Sequence, residues 1–238
     1  MRRGYAGAMR RALVLAGCAL TGALAPAPAA LAATIAPLKP CYVSANRANR
    51  EQIPIDVQGL TPNQTATVSI DGSVVLGNWQ VDPLGNTVPG TIPAPFQPKG
   101  ERPFTLAIAD NANPANAASA QSLVTALDVR VTPANARPSS PVRFHGRGFT
   151  GGPAVYGHYL RKGKLRRTVL LAPTSGACGT FDVRRRQLPI KHPHTGRWIL
   201  QIDQSATWQA EPLSAQVLLM IDVTRGPTVR SRRSQVPS

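Results

Sequence analysis

Short runs of alternating apolar and polar residues recur along the chain, each closed by Gly, Pro, Asn or Asp. They include TATVSI at 65–70, FTLAIAD at 104–110, AVYGHYL at 154–160 and WILQID at 198–203. A period of two puts successive side chains on opposite faces of a strand, and no stretch after residue 33 sustains the 3.6-residue period of an amphipathic helix. The 23 prolines and 20 glycines among 238 residues supply the turns that many short strands require. The pattern predicts an all-β protein. Its expected core positions are Val68, Ile70 and Val74 in the first half, and Val155, Tyr159, Phe181, Val183, Trp198 and Leu200 in the second. DNANPANAASAQS, 110–122, reads as a long polar loop, and the tail from 224 has no apolar period and is expected to be disordered over 226–238.

The alternating runs repeat as a set. VQGLTPNQTATVSIDG at 57–72 parallels GRGFTGGPAVYGHYLRKG at 146–163: glycine, an apolar residue and threonine, then a turn and an alternating strand. DPLGNTVPGTIPAP at 82–95 parallels TSGACGTFDVRRRQLP at 174–189, and KGERPFTLAIAD at 99–110 parallels HTGRWILQID at 194–203. Three landmarks in one order, offset by roughly 90 residues, mark a structural unit built twice. The punctuation resembles bacterial immunoglobulin-like domains of the IPT/TIG type. That resemblance implies two tandem β-sandwiches, 34–128 and 129–225. It carries no functional residues and only a class expectation of exported adhesive or spacer proteins.

The first 33 residues do not belong to this pattern. An arginine-bearing start, an apolar stretch from Ala12 to about Leu24 and Ala30-Leu31-Ala32 have the layout of a secretory signal peptide. The apolar stretch is too short and broken for a membrane span of ~20 residues, so no transmembrane segment is expected in the mature chain. Leu15-Ala16-Gly17-Cys18 resembles a lipoprotein lipobox. Secretion in soluble form is expected, with a lipid anchor through Cys18 as the alternative. Export leaves Cys41 and Cys178 as a pair in an oxidising compartment, where a disulfide is expected, with two buried free thiols as the alternative. Because the two lie in different halves, a bridge between them would clamp the halves together.

Charge divides at the same boundary. Residues 34–128 hold five basic against seven acidic residues, whereas 129–238 hold eighteen basic against four acidic. A field of that sign speaks of partners rather than of fold: anionic envelope polymers or acidic lipids outside the cytoplasm. The alternative is charge that merely keeps the domain soluble. The candidate binding surface is the hairpin 155–171, with Arg161, Lys162, Lys164, Arg166 and Arg167, next to Arg184 and Arg186 of the strand near 180–187.

Other chemistries find little support. No helix-turn-helix, zinc-finger spacing or RNP-like aromatic run occurs, so a specific nucleic-acid partner is not expected. His192-Pro193-His194 sits in a turn between Lys191 and Arg197 with no acidic neighbour, which reads as surface rather than as a metal site. Ser175-Gly176-Ala177-Cys178 is superficially similar to the cysteine motif of L,D-transpeptidases. However, Gly176 and Ala177 stand where that family has histidine and glycine, so a thiolate lacks its partner. No cofactor is implied and no oligomeric state is encoded. The sequence therefore supports a non-catalytic exported protein whose basic second half contacts anionic envelope material. A structural or protein-binding module with incidental charge is the alternative, and a wall enzyme using Cys178 stands third. Intact-mass analysis of the exported protein is expected to find a chain starting at Ala33 or Thr34; a diacylated Cys18 terminus would overturn soluble secretion.

Overall fold

The computed structural model describes residues 32–210 and 215–224, and the backbone of 229–233. Residues 1–31 of the expected signal peptide, with Cys18, lie outside the described residues, as does most of the expected tail. Among the described residues there is no helix, and hence none long and apolar enough to cross a membrane.

The first half contributes β1 (Thr34–Ile35), β2 (Cys41–Ser44), β3 (Gln52–Pro54), β4 (Val57–Gln58), β5 (Thr65–Ile70), β6 (Ser73–Gln80), β7 (Thr91–Pro93), β8 (Glu101–Asp110) and β9 (Ala117–Ala126). The second contributes β10 (Asp128–Thr132), β11 (Asn135–Ala136), β12 (Pro141–Arg147), β13 (Ala154–Arg161), β14 (Lys164–Pro173), β15 (Phe181–Arg186), β16 (Gly196–Asp203), β17 (Val217–Val223) and β18 (Val229–Arg233). In the first half a five-stranded sheet, β2-β9-β8-β5-β6, accompanies the short pairs β1-β4 and β3-β7. In the second a six-stranded sheet, β11-β18-β17-β16-β13-β14, accompanies a three-stranded one, β10-β12-β15.

Alternation buries one face of each sheet, and the buried faces form two separate cores. Tyr42, Ile53, Val68, Phe104, Leu106 and Ile108 anchor the first; Phe144, Phe149, Tyr159, Phe181, Leu200 and Ile202 anchor the second. Each core draws on both the large sheet and the smaller strands of its own half, so sheet packs on sheet within each half. The described residues of the two halves nonetheless belong to one compact unit.

The sequence repeat reappears as repeated geometry. Gly59 (φ 81°) and Gly148 (φ 87°) adopt the left-handed conformation just before Leu60 and Phe149, which are buried in their respective cores. Each of these two residues donates its amide to a glycine carbonyl further on: Leu60 to Gly85 at 2.9 Å, and Phe149 to Gly179 at 3.2 Å. A Cβ on Gly85 would lie 2.5 Å from the Leu60 carbonyl oxygen, and one on Gly179 only 1.9 Å from that of Phe149, so both contacts demand glycine. The hairpins that follow turn through Asp71-Gly72 and Lys162-Gly163, with both residues of each pair at positive φ as a two-residue hairpin requires. β8 and β16 both end on a buried aspartate, Asp110 and Asp203, placed in register opposite Ala66 of β5 and Tyr156 of β13.

Three expectations need correction. Val74 is 66% exposed rather than in the core, because β6 is an edge strand and its register sets Val74 opposite Ser69, on the face away from Val68 and Ile70. Most of 110–122 is strand, not loop: Ala117 to Ser122 pair with β8, whose backbone recruits small residues of low intrinsic β preference. Within the expected tail, Val229–Arg233 pairs antiparallel with β17 and extends the large sheet. The remaining core positions hold, with Val183 half-buried.

Cys41, on edge strand β2, is bonded to Cys178, in the turn before β15, across a sequence separation of 137. Both are buried, and Lys39 Nζ reaches Thr150 Oγ1 at 3.2 Å beside them. Cross-linking a loop of this length restrains the unfolded chain by about 5 kcal/mol in the entropy treatment. Reduction, or Cys41→Ser with Cys178→Ser, is expected to lower unfolding free energy by about 2–5 kcal/mol in denaturant titration. An unchanged midpoint would show that the bridge restrains little.

Candidate functional site

Of the basic residues singled out in the sequence, Lys162 is at the β13–β14 tip and the others lie on β13, β14 and β15, in two different sheets. β14 is the edge of the six-stranded sheet and β15 the edge of the three-stranded one, and the chain between β15 and β16 runs along the open border between them. That crossing is pinned at several points. Gln187 and Leu188 donate their amides to the carbonyls of Ser140 and Pro138, and Leu188 is buried in the second core. Arg167 donates to the Pro189 carbonyl at 2.6 Å, Arg161 to the Thr195 carbonyl at 3.1 Å, and Trp198 Nε1 to the His194 carbonyl at 3.0 Å.

The pinned crossing leaves a hollow on each side. The larger, about 640 Å³, is lined by Arg137, Arg167, Arg186 and Lys191, together with Ser139 and Leu188 to Pro193. The smaller, about 310 Å³, is lined by Arg161, Arg166 and Lys191, with His192, His194 and Trp198. Arg166 and Arg167 face different hollows, as successive residues of a strand do. The β13–β14 pairing passes from Tyr159↔Arg167 to Leu160↔Leu165, a bulge that leaves Arg166 without a register partner.

Neither hollow is lined by a carboxylate. The described acids of the second half are engaged elsewhere. Asp182 receives Arg143 through Nε at 2.7 Å, along with His145, and the Arg143 bonds outweigh desolvation to hold its carboxyl below the ordinary range. Asp222 faces Arg197 across the β16–β17 ladder at 3.4 Å. Among the described residues, Arg137, Arg161, Arg166, Arg167, Arg186 and Lys191 make no ion pair.

The structure thus brings together Arg167 with Arg186, and Arg161 with Arg166. It adds Arg137 and Lys191, which the hairpin-centred sequence reading missed. Arg137 follows β11 and comes near only because Ser140 and Pro138 carry the 187–188 backbone; the one signal was its place in the basic half. Lys162 sits at the hairpin tip beside a separate shallow hollow, and Lys164 is exposed at the start of β14. Arg184 lies opposite Arg143 on the β12–β15 pair and lines neither hollow. Cys178 is removed as a nucleophile, because its sulfur is bonded to Cys41. Among the described residues no three metal-ligating side chains cluster.

A buried polar network behind β14 was also invisible in the sequence. His158 and Asp203 are fully buried, with His158 Nε2 3.2 Å from Asp203 Oδ1 and 3.1 Å from the Ser205 carbonyl. His158 Nδ1 meets the Thr168 hydroxyl at 2.9 Å. Asp203 also accepts from Gln201 Nε2 at 2.7 Å and the Ser205 amide at 2.9 Å. Trp208 donates to Gln201 at 3.1 Å, which folds the 204–209 loop over what alternation would leave as an outer face.

Compared with known proteins, the chain matches no family's sequence profile and no curated relative. Among solved structures it is similar to SGBP-B of the Bacteroides ovatus mixed-linkage glucan utilization locus, solved in complex with a mixed-linkage heptasaccharide. The identity is 14% and the TM-score 0.23; the match covers 82% of this chain and 48% of that one, so this chain spans about half of that protein's length.

Desolvation pushes the Asp203 carboxyl up, but the bonds from His158, Gln201 and Ser205 prevail and hold it below the ordinary aspartate value. A carboxyl depressed in the folded state stabilises above its unfolded pKa, and that contribution is lost as pH falls through the lowered value. Asp203→Asn is expected to cost about 2 kcal/mol at neutral pH, by loss of charge-assisted bonds to a buried group. The difference from wild type should shrink as pH falls below about 4. A cost independent of pH in urea titrations would refute the assignment.

Proposed function

We propose that this is an exported, non-catalytic protein of two tandem immunoglobulin-like sandwiches of the IPT/TIG type, whose basic second half contacts anionic cell-envelope polymers or acidic lipids. The observation that carries the reading is the convergence of six cations from β13, β14, β15 and two connecting segments on one pinned crossing, without a carboxylate lining it. Like charges gathered in this way repel one another, and solubility alone asks only for dispersed charge. Five of the six are arginines, whose planar forks match phosphate and carboxylate oxygens. The duplicated glycine-led geometry of the two halves supports the tandem architecture. The Cys41–Cys178 bond suits an oxidising, extracytoplasmic setting.

A second reading, a protein-binding module with incidental charge, is favoured by β6. This edge strand has no charged residue from Ser73 to Gln80 and exposes Val74, Val75 and Leu76, leaving a sheet edge open to strand addition. Retention of the mature protein on an immobilised phosphate-bearing wall polymer separates the two. Ionic contact through about five cations predicts a loss of about a hundred-fold in affinity as salt rises from about 50 to 200 mM. A flat response would remove the polyanion reading.

A further inference from the structure

We infer that the two hollows are consecutive subsites for one linear phosphate polymer, which crosses the Ile190–Pro193 segment and places a phosphate group on each side. The inference rests on the polyanion reading above and deepens it from attraction to a defined path. Ile190, Lys191, His192 and Pro193 line both hollows, so the segment is a shared wall rather than a barrier between unrelated pockets. Lys191 belongs to both, and a flexible single-point cation suits the crossing.

The larger hollow gathers four cations, more than one carboxylate can satisfy and suited to a phosphate group with several charged oxygens. The smaller hollow supplies Arg166 on its bulge, while Arg161 lies over the Trp198 ring at 5.7 Å and helps hold the crossing.

The path selects against nucleic acid. Single-stranded DNA or RNA gains much of its affinity by stacking bases on exposed aromatic rings. Of the rings lining the hollows, the Trp198 indole is buried and covered by Arg161, which leaves only the small imidazoles of His192 and His194 to meet a base. A phosphate chain without bases meets all the chemistry on offer.

The test uses the mature, disulfide-bonded protein titrated at fixed low salt with inorganic phosphate, tripolyphosphate and a long linear polyphosphate. Bridging predicts that affinity climbs with chain length by ~100-fold or more and then levels, since the second contact is intramolecular. Arg186→Ala and Arg166→Ala, one per hollow, should each weaken the long chain by ~10-fold and lower its salt slope by about one. Arg184→Ala, which removes the same charge from a residue lining neither hollow, should change affinity by less than ~2-fold. Thermal melting of each variant checks that the fold is kept.

Equal losses for all three variants, or phosphate binding as tightly as the long chain, would overturn the path while leaving general polyanion attraction standing. Tighter binding of single-stranded DNA of matched charge would also overturn it. Failure of every polyanion to bind would sink the underlying reading as well.

Discussion

The contact between the Phe149 carbonyl and Gly179 governs how the second half is assembled. Phe149 is fixed in the core, and only a residue without a Cβ lets the 175–180 turn close against its backbone. Once that turn is seated, Gly148 donates to the Cys178 carbonyl, Cys178 stands within bonding reach of Cys41, and β15 starts in register with β12. That register brings β15 to its end at Arg186, opposite Pro141, and sends the chain back along the border between the two sheets. The same device operates in the first half through Leu60 and Gly85. There the strand that follows is short and uncharged, and it leads to no cationic border.

Electrostatics in the second half is organised by where its few acids are spent. Asp203 is committed to the interior, Asp182 to Arg143 and His145, and Asp222 to Arg197. Those pairings lie in the core or on outer sheet faces, so none offsets the cations at the border. A surface pair contributes little to stability, and a group of unpaired arginines opposes compactness. The fold tolerates the group because the crossing is held by hydrogen bonds to backbone carbonyls, and Arg161 and Arg167 themselves donate two of them. Part of the positive charge therefore has a structural use, and the remainder faces open volume.

The same architecture leaves two different kinds of edge exposed. β14 ends its sheet with Lys164, Arg166 and Arg167, charge that discourages another strand from adding. β6 ends its sheet with valines, a leucine and no charge. The two halves thus present different edges, one suited to ionic contact and the other to backbone pairing.

Alternation, turn residues and the spaced repeat determined by themselves the all-β class, most core positions and the glycines that start each unit. Those signals are local, because strand periodicity and positive φ are written within a few residues. The sequence likewise showed the charge boundary and the two cysteines that pair. Tertiary structure alone decided the rest. Sheet order left β6 at an edge with Val74 exposed, and pairing with β8 made a strand of 117–122. The folded-over 204–209 loop buried His158 with Asp203. Arg137 and Lys191 joined the basic group only through contacts between segments some fifty residues apart, which no local pattern records. Register and loop closure are set by the whole chain's packing, and a binding surface assembled at the border of two sheets exists only after both have formed.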